Sequence, residues 1–232
     1  MFRYNDYIQD DWATIAAHAE NGTAPDVYPI GARKKIPVRL NGVDYNLDVE
    51  IIGYNHDNLA DGSGKAGITF FCKELPDFIV ELYEGNTNDY GWEESYARHY
   101  LNEELYKALP EDLKNVMKLV TKISDGGPSK RSLVETEDYC WLLSYNEVGF
   151  DSNNIHIVNG QGELYIDTFK YGNDGDASRI RYKSDGYTAG YWWLRTTYYG
   201  EITVLGYSVS NTGSSIGVGL WSKWNIPFGF CV

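Results

Sequence analysis

The spacing of apolar residues changes twice along this chain, and that limits its fold more than any other feature. Val38, Leu40, Tyr45, Leu47, Val49 and Ile51 fall on alternate residues, interrupted only by Asn41-Gly42 and its surroundings. Alternation marks strands with one buried face, and Asn-Gly tolerates the positive φ angles of a tight hairpin turn. Ile68-Thr69-Phe70-Phe71-Cys72 reads as a buried strand after the polar, Gly-rich stretch from Asn55 to Gly67. Between Trp92 and Ile123 the period becomes helical. Tyr96, Leu101, Leu105 and Leu109 mark one face, and a second helix after Pro110 carries Leu113, Val116, Met117 and Val120. Tyr139 to Leu143 reads as a short strand, and beyond about residue 150 short strand-like pieces alternate with Gly, Asn, Asp and Ser. Near the start, Asp10-Asp11 caps a helix carrying Trp12, Ile15, Ala16 and Ala19, closed by Gly22. This order predicts an α+β fold with an irregular, mostly antiparallel sheet and long loops. No repeat or linker divides it, so residues 1–232 read as one domain, with 1–35 as helix and lead-in.

Composition narrows the function. The chain has 20 basic and 33 acidic residues, a net charge of −13, so it repels phosphate backbones and nucleic acid is not an expected partner. Its densest cationic run, Arg33-Lys34-Lys35, reads as a solvated turn. No apolar run reaches the ~20 residues that span a bilayer, so membrane insertion is not expected. Met1-Phe2-Arg3-Tyr4-Asn5-Asp6 lacks the form of a signal peptide, which predicts synthesis in the cytoplasm. Cys72, Cys140 and Cys231 are far apart and flanked by apolar residues; buried free thiols are the expectation.

Signs of catalysis are sparse. The four histidines show no metal-like spacing, and Gly62-Ser63-Gly64-Lys65 lacks the spacing of a phosphate loop. His56 and Asp57, in a polar loop after a strand, form the only acid–base pair worth weighing. Asn173-Asp174-Gly175-Asp176 offers oxygen ligands, which makes Asp174 and Asp176 weak candidates for calcium, without the loop of an EF-hand. No other cofactor is implied.

The last 47 or so residues differ in kind. From Gly186 to Val232 the charged residues are Arg195, Glu201 and Lys223, set among eleven Tyr, Trp and Phe side chains. Trp192, Trp193, Leu194, Phe228 and Phe230 lie in compact apolar runs and are expected in the core. Tyr198, Tyr199, Tyr207, Trp221 and Trp224 lie among Gly, Ser and Asn and are expected at the surface. Large amphipathic rings interleaved with small hydrogen-bonding residues have the composition of a contact surface. Segment 186–232 is therefore the expected ligand face, with Tyr198, Tyr199, Glu201, Thr203, Tyr207, Ser208, Ser210, Asn211, Trp221, Lys223 and Trp224 as its candidate ligand-binding residues.

Tyr191-Trp192-Trp193-Leu194-Arg195-Thr196, followed by Asn225-Ile226-Pro227-Phe228-Gly229-Phe230-Cys231-Val232, resembles a bacterial and phage domain family of unknown function. Its members carry W-W-L-R-S, a variable stretch and a closing G-V-R-P-x-F-C-I. Ile51 to Asp57, Gly91 to Ser95 with Arg98, Leu109-Pro110 and Leu142 to Ser144 extend the likeness from about residue 36 onward. The family looks C-type-lectin-like, related to the formylglycine-generating-enzyme group and to the variable proteins of diversity-generating retroelements. The resemblance implies a non-enzymatic protein that binds a cell-surface protein or glycan through Thr197 to Trp224, either tail-associated in a phage and incorporated in a virion or a retroelement-diversified variable protein. Two positions depart from the pattern: Pro227-Phe228 stands for Arg-Pro, and Asn225 for Gly. The three cysteines do not match the arrangement of the enzymes in that group. A carbohydrate-binding module, calcium-dependent in one version, and an enzyme using His56 and Asp57 are the competing readings.

Overall fold

Asn41 and Gly42 have φ of 52° and 81°, the paired positive angles of a two-residue hairpin turn. They join β1 (Arg33–Leu40) to β2 (Val43–Tyr54) in an unbroken antiparallel register from Leu40↔Val43 to Arg33↔Glu50. The chain is described here from a computed structural model, over residues 7–85, 87–130, 132–151, 154, 156–172, 176–198 and 204–232.

Asp11 caps α1 (Trp12–Glu20) by accepting a hydrogen bond from the Thr14 N–H, and α1 buries Trp12, Ile15, Ala16 and Ala19. A short turn, α2 (Ala24–Val27), leads into β1. Along β1 the alternating Ile36, Val38 and Leu40 face the core. Arg33-Lys34-Lys35 belongs to the strand rather than to a turn, because Arg33 and Lys35 both pair with the Asp48 carboxylate on β2.

The β2–β3 register slips between Ile51 and Gly53 as β2 meets β3 (Ile68–Cys72). β11 (Gly229–Cys231) completes a four-stranded antiparallel sheet in the order β1-β2-β3-β11. The second sheet, in the order β4-β10-β7-β8-β9, contains β4 (Ile79–Val80), β7 (Trp192–Thr197), β8 (Leu205–Val209), β9 (Ser215–Gly219) and β10 (Trp224–Asn225). Its β10–β7 pairing is parallel and the others are antiparallel. A third, two-stranded sheet pairs β5 (Val120–Asp125) with β6 (Leu133–Asp138). Trp12, Phe70 and Phe230 pack between α1 and the first sheet, and Phe71 meets Trp192 of the second at 5.8 Å. Trp192, Trp193, Leu194, Phe228 and Phe230 are fully buried, as their apolar runs predict. All three cysteines are free and buried. This is an α+β protein, and no helix among the described residues is long and apolar enough to cross a membrane.

The helical stretch is shorter than its periodicity suggests. Ser95 caps α3 (Tyr96–His99), which passes through a π-helical turn (Tyr100–Leu105) into α4 (Tyr106–Ala108) and stops before Pro110. α5 (Glu111–Lys114) is one turn, and Val120 opens β5 instead of closing a helix. Val120, Lys122 and Ser124 alternate inward on that strand, and ladder pairing with β6 outweighs a helical spacing of only four residues. After another turn, α6 (Gly127–Lys130), the chain enters β6. Cys140 to Leu143 is buried and Tyr139 half-buried, yet the segment forms no strand. The Asn102 side chain accepts from the Tyr139 and Cys140 N–H groups and donates to the Cys140 carbonyl, replacing a ladder partner. Only Trp141 bridges to a neighbour, exchanging both backbone bonds with Gly229.

Candidate functional site

Two places stand out: the surface around Trp221, and a buried charged cluster beneath His56. On the expected ligand face, the structure divides the candidate residues. Trp221 is 58% exposed, and the Lys223 side chain 60%. Asn211 is exposed, and Tyr198 and Trp224 are half-buried. Tyr207, Ser208 and Ser210 are buried, which corrects the expectation of exposure for Tyr207. Tyr207 and Ser208 lie on β8, between β7 and β9, and Ser210 directly follows it; Tyr145 and Tyr198 pack on the Tyr207 ring. The Tyr207 ring packs on Tyr145 at 5.1 Å, its hydroxyl accepts from Asn154 Nδ2 at 2.8 Å, and burial pushes its pKa up to about 12. Ser210 holds the β8–β9 turn, its Oγ accepting from the Thr212 and Ser214 N–H groups. Tyr199, Glu201, Thr203 and Asp174 lie outside the described residues. Asp176 caps a 3-10 turn (Ala177–Arg179) by accepting from the Ser178 N–H, and among the described residues no group of acidic, His or Cys side chains could hold a metal.

The Trp221 indole lies across Gly219, where an added Cβ would come within 2.5 Å of the ring. A glycine on the edge strand therefore lets a tryptophan lie against the backbone while remaining more than half open to solvent. Close by in sequence, Lys223 pairs with Glu81 at 3.7 Å, and Trp224 packs on Tyr191 with ring centroids 4.5 Å apart. Lys223 also borders a shallow depression of about 200 Å³ with Ile79, Val80, Glu81, Glu84 and Tyr96.

The second place is built around Asp57. The register slip ends at Gly53, where a Cβ would crowd the Tyr165 ring at 3.1 Å, and Asn55 adopts φ 48°. Glycine makes room for Tyr165, and the left-handed turn aims Asp57 inward. Tyr165 donates to both Asp57 oxygens at 2.9 Å, and Thr69 donates to Oδ2 at 2.6 Å. Lys122 Nζ lies 2.6 Å from Asp57 Oδ1 and 2.7 Å from Glu147 Oε1. Arg195, the arginine of the W-W-L-R run, clasps both Glu147 oxygens and donates to Ser124 Oγ and to the carbonyls of Leu142, Ile123 and Gln161.

Two acids and two bases thus share a buried site. Burial alone would raise the Asp57 pKa, but Lys122, with His56 after it, overrides burial and holds the carboxyl well below its ordinary value. For Glu147 the same contest is won by Arg195 and Lys122. Burial would lower the Lys122 pKa, and its two carboxylates raise it instead. His56 stacks on Tyr165 at 3.8 Å, with Nδ1 3.6 Å from Asp57 Oδ1 and neither ring nitrogen hydrogen-bonded. Asp57 is held by Lys122, Thr69 and Tyr165, and His56 Nδ1 is a further polar group 3.6 Å from Oδ1. A cavity of about 290 Å³ is lined by Asp57, Lys122 and Glu147 of the cluster together with His56, Lys65, Thr121 and Glu163. Gly162 rests on Glu147 so closely that a Cβ would come within 2.7 Å of Oε1.

Sequence reasoning found His56 and Asp57 but missed Lys122, Glu147 and Tyr165. The usable signal was the run Val120-Thr121-Lys122-Ile123, a lysine on the apolar phase of a β-branched alternation.

A family model described as Domain of unknown function (DUF6273) matches residues 72–225, from the end of β3 to β10. No curated protein and no solved structure matches the chain.

Proposed function

The chain belongs to the family described as Domain of unknown function (DUF6273), and we propose that it is a non-enzymatic ligand-binding domain whose contact surface centres on Trp221. The single observation behind this reading is that tryptophan, 58% exposed and laid across Gly219. An aromatic ring fixed before the ligand arrives loses little rotamer freedom on binding, which is what makes such residues anchors. Lys223, Trp224 and Asn211 flank it in sequence, and Tyr198 borders the same segment. Tyr207, Ser208 and Ser210 belong to the scaffold beneath. The charge-poor C-terminal stretch suits approach to an anionic cell surface better than the rest of a chain carrying −13.

In this reading the scaffold is C-type-lectin-like, and the protein acts as a phage tail-associated or retroelement-diversified receptor binder. Its support is the placement of the motif: the W-W-L-R strand is buried, and the segment after it carries the exposed Trp221 and the half-buried Tyr198 and Trp224. The flat, open indole favours a glycan over other cell-surface ligands, because sugar rings stack on such platforms. Screening the protein on glycan and cell-surface-protein arrays, with Trp221→Ala beside it, tests the proposal. A ligand that binds the parent and the variant equally would remove Trp221 from the site, and binding abolished only by changes at His56 would move the site to the cavity.

A further inference from the structure

Lys122, Asp57 and Glu147 have side chains 3%, 2% and 1% exposed, and one ammonium nitrogen touches both carboxylates. The Trp141 ring lies 4.5 Å from Nζ, and the cavity of about 290 Å³ is lined by the same three side chains. The far oxygen of Asp57, Oδ2, receives hydroxyl hydrogen bonds from Thr69 and Tyr165. A primary amine held against a carboxyl group, with a second carboxylate on the same nitrogen and donors on the opposite oxygen, is an arrangement suited to acyl transfer.

We propose that Lys122 and Asp57 condense within the folded chain to an intramolecular amide, with Glu147 as the proton acceptor. Glu147 Oε1 takes one proton from the Lys122 ammonium, and the freed lone pair of Nζ attacks Asp57 Cγ. The hydroxyls of Tyr165 and Thr69 stabilise the charge that gathers on Oδ2. The Cγ–Oδ1 bond then breaks, and Oδ1 departs as water with two of the three ammonium protons, one of them returned through Glu147. The third proton stays on the amide nitrogen, Glu147 is ionised again, and no oxidant or reductant is consumed.

Two features favour the product. The reaction removes one positive and one negative charge from an interior where each is costly to hold. It also leaves the Arg195–Glu147 pair intact, so no buried charge is stranded. Arg195 holds Glu147 in place beside Nζ; the same pairing lowers its basicity while the carboxylates keep Lys122 protonated, so the proton transfer is the uphill step of the reaction. The new bond would tie the loop after β2 to β5 across 65 residues of sequence, joining the first sheet to the third.

The test is the mass of the purified, folded protein, followed by peptide mapping. The expected result is a mass one water below that of the sequence, and a branched peptide joining the Lys122 and Asp57 segments, with Lys122 resistant to trypsin. Lys122→Met should restore the full mass. Glu147→Gln should slow formation of the cross-link by roughly 10²–10⁴-fold, the usual worth of a positioned acid–base group. Wild-type protein that is folded by near-UV circular dichroism yet carries the full mass overturns the proposal, whatever the variants do. So does a water loss that maps to a linear peptide, such as an aspartimide at Asp61-Gly62 or Asp185-Gly186.

Discussion

Arg195 holds Glu147 through both carboxylate oxygens, and neither side chain is more than 1% exposed. The pair connects β7 of the second sheet to the segment after Leu143, and the remaining Arg195 donors reach Ser124 and Ile123 on β5. A guanidinium has five N–H groups in a fixed fork, and the contacts around Arg195 use that geometry. The arginine of the W-W-L-R run is therefore a brace for the interior.

Replacing Arg195 by Met should cost about 3–5 kcal/mol of folding stability, because it leaves Glu147 charged and buried with half its partners gone. Lysine should not restore it, since an ammonium cannot span Ser124, Leu142 and Gln161 together. Urea denaturation of both variants measures the loss. A cost under about 1 kcal/mol, the scale of an exposed pair, would mean that water already reaches Glu147.

Tyr207 and Trp221 should respond oppositely to truncation. Tyr207→Ala removes a ring packed between Tyr145 and Tyr198 and is expected to lose about 3–5 kcal/mol, as large aromatic deletions in cores do. Trp221→Ala should stay within about 0.5 kcal/mol of the parent, as surface changes do. Thermal melts of the two proteins decide it, and equal losses would place Trp221 in the core.

Gly219→Ala is a change of one methyl group that should act on the ligand and not on the fold. The new Cβ would meet the Trp221 ring at 2.5 Å, and an exposed side chain can swing away. Tryptophan fluorescence should shift, stability should change by less than about 0.5 kcal/mol, and affinity for any ligand found on the arrays should fall as far as in Trp221→Ala. Unchanged affinity would show that the position of the indole on Gly219 is irrelevant to binding.

Acid should unfold the protein partly through Glu147. Burial favours its neutral form, but Arg195 and Lys122 outweigh burial and set the folded pKa below the ordinary value. The unfolded chain therefore takes up that proton first, near pH 4. The contribution of Glu147 is complete above that range and is lost as pH falls through the folded pKa. Asp125 runs the other way. Burial raises its pKa, and hydrogen bonds from Thr197 and Gly127 offset this only in part, so its contribution is present at low pH and lost as pH rises through the folded value. Urea midpoints measured from acid to neutral pH should fall below about pH 4, and Asp125→Asn should remove a decline on the neutral side. A variant whose pH profile parallels that of the parent would assign the decline to other groups.

The amino-acid sequence by itself determined the local elements whose signals are short-range. The Asp11 cap, the Asn41-Gly42 hairpin, the Ile68–Cys72 strand and the core tryptophans of β7 all lie where alternation and capping placed them. Each depends on residues a few positions apart, so a linear reading contains the physics. Tertiary structure decided the rest. Val120 became a strand because β6 was available to pair with it, and Asn102 took over the hydrogen bonds that would have made Tyr139 to Leu143 a strand. Tyr207 and Trp221 lie in the same kind of sequence and differ in exposure because Tyr145, Tyr198 and Asn154 close over Tyr207 while Trp221 rests on the edge-strand Gly219. The charged cluster joins Asp57 to Lys122 across 65 residues and Glu147 to Arg195 across 48, separations over which apolar periodicity carries no information. A buried lysine and a solvated one look alike in sequence. Only the folded chain, by excluding water and supplying partners, tells them apart.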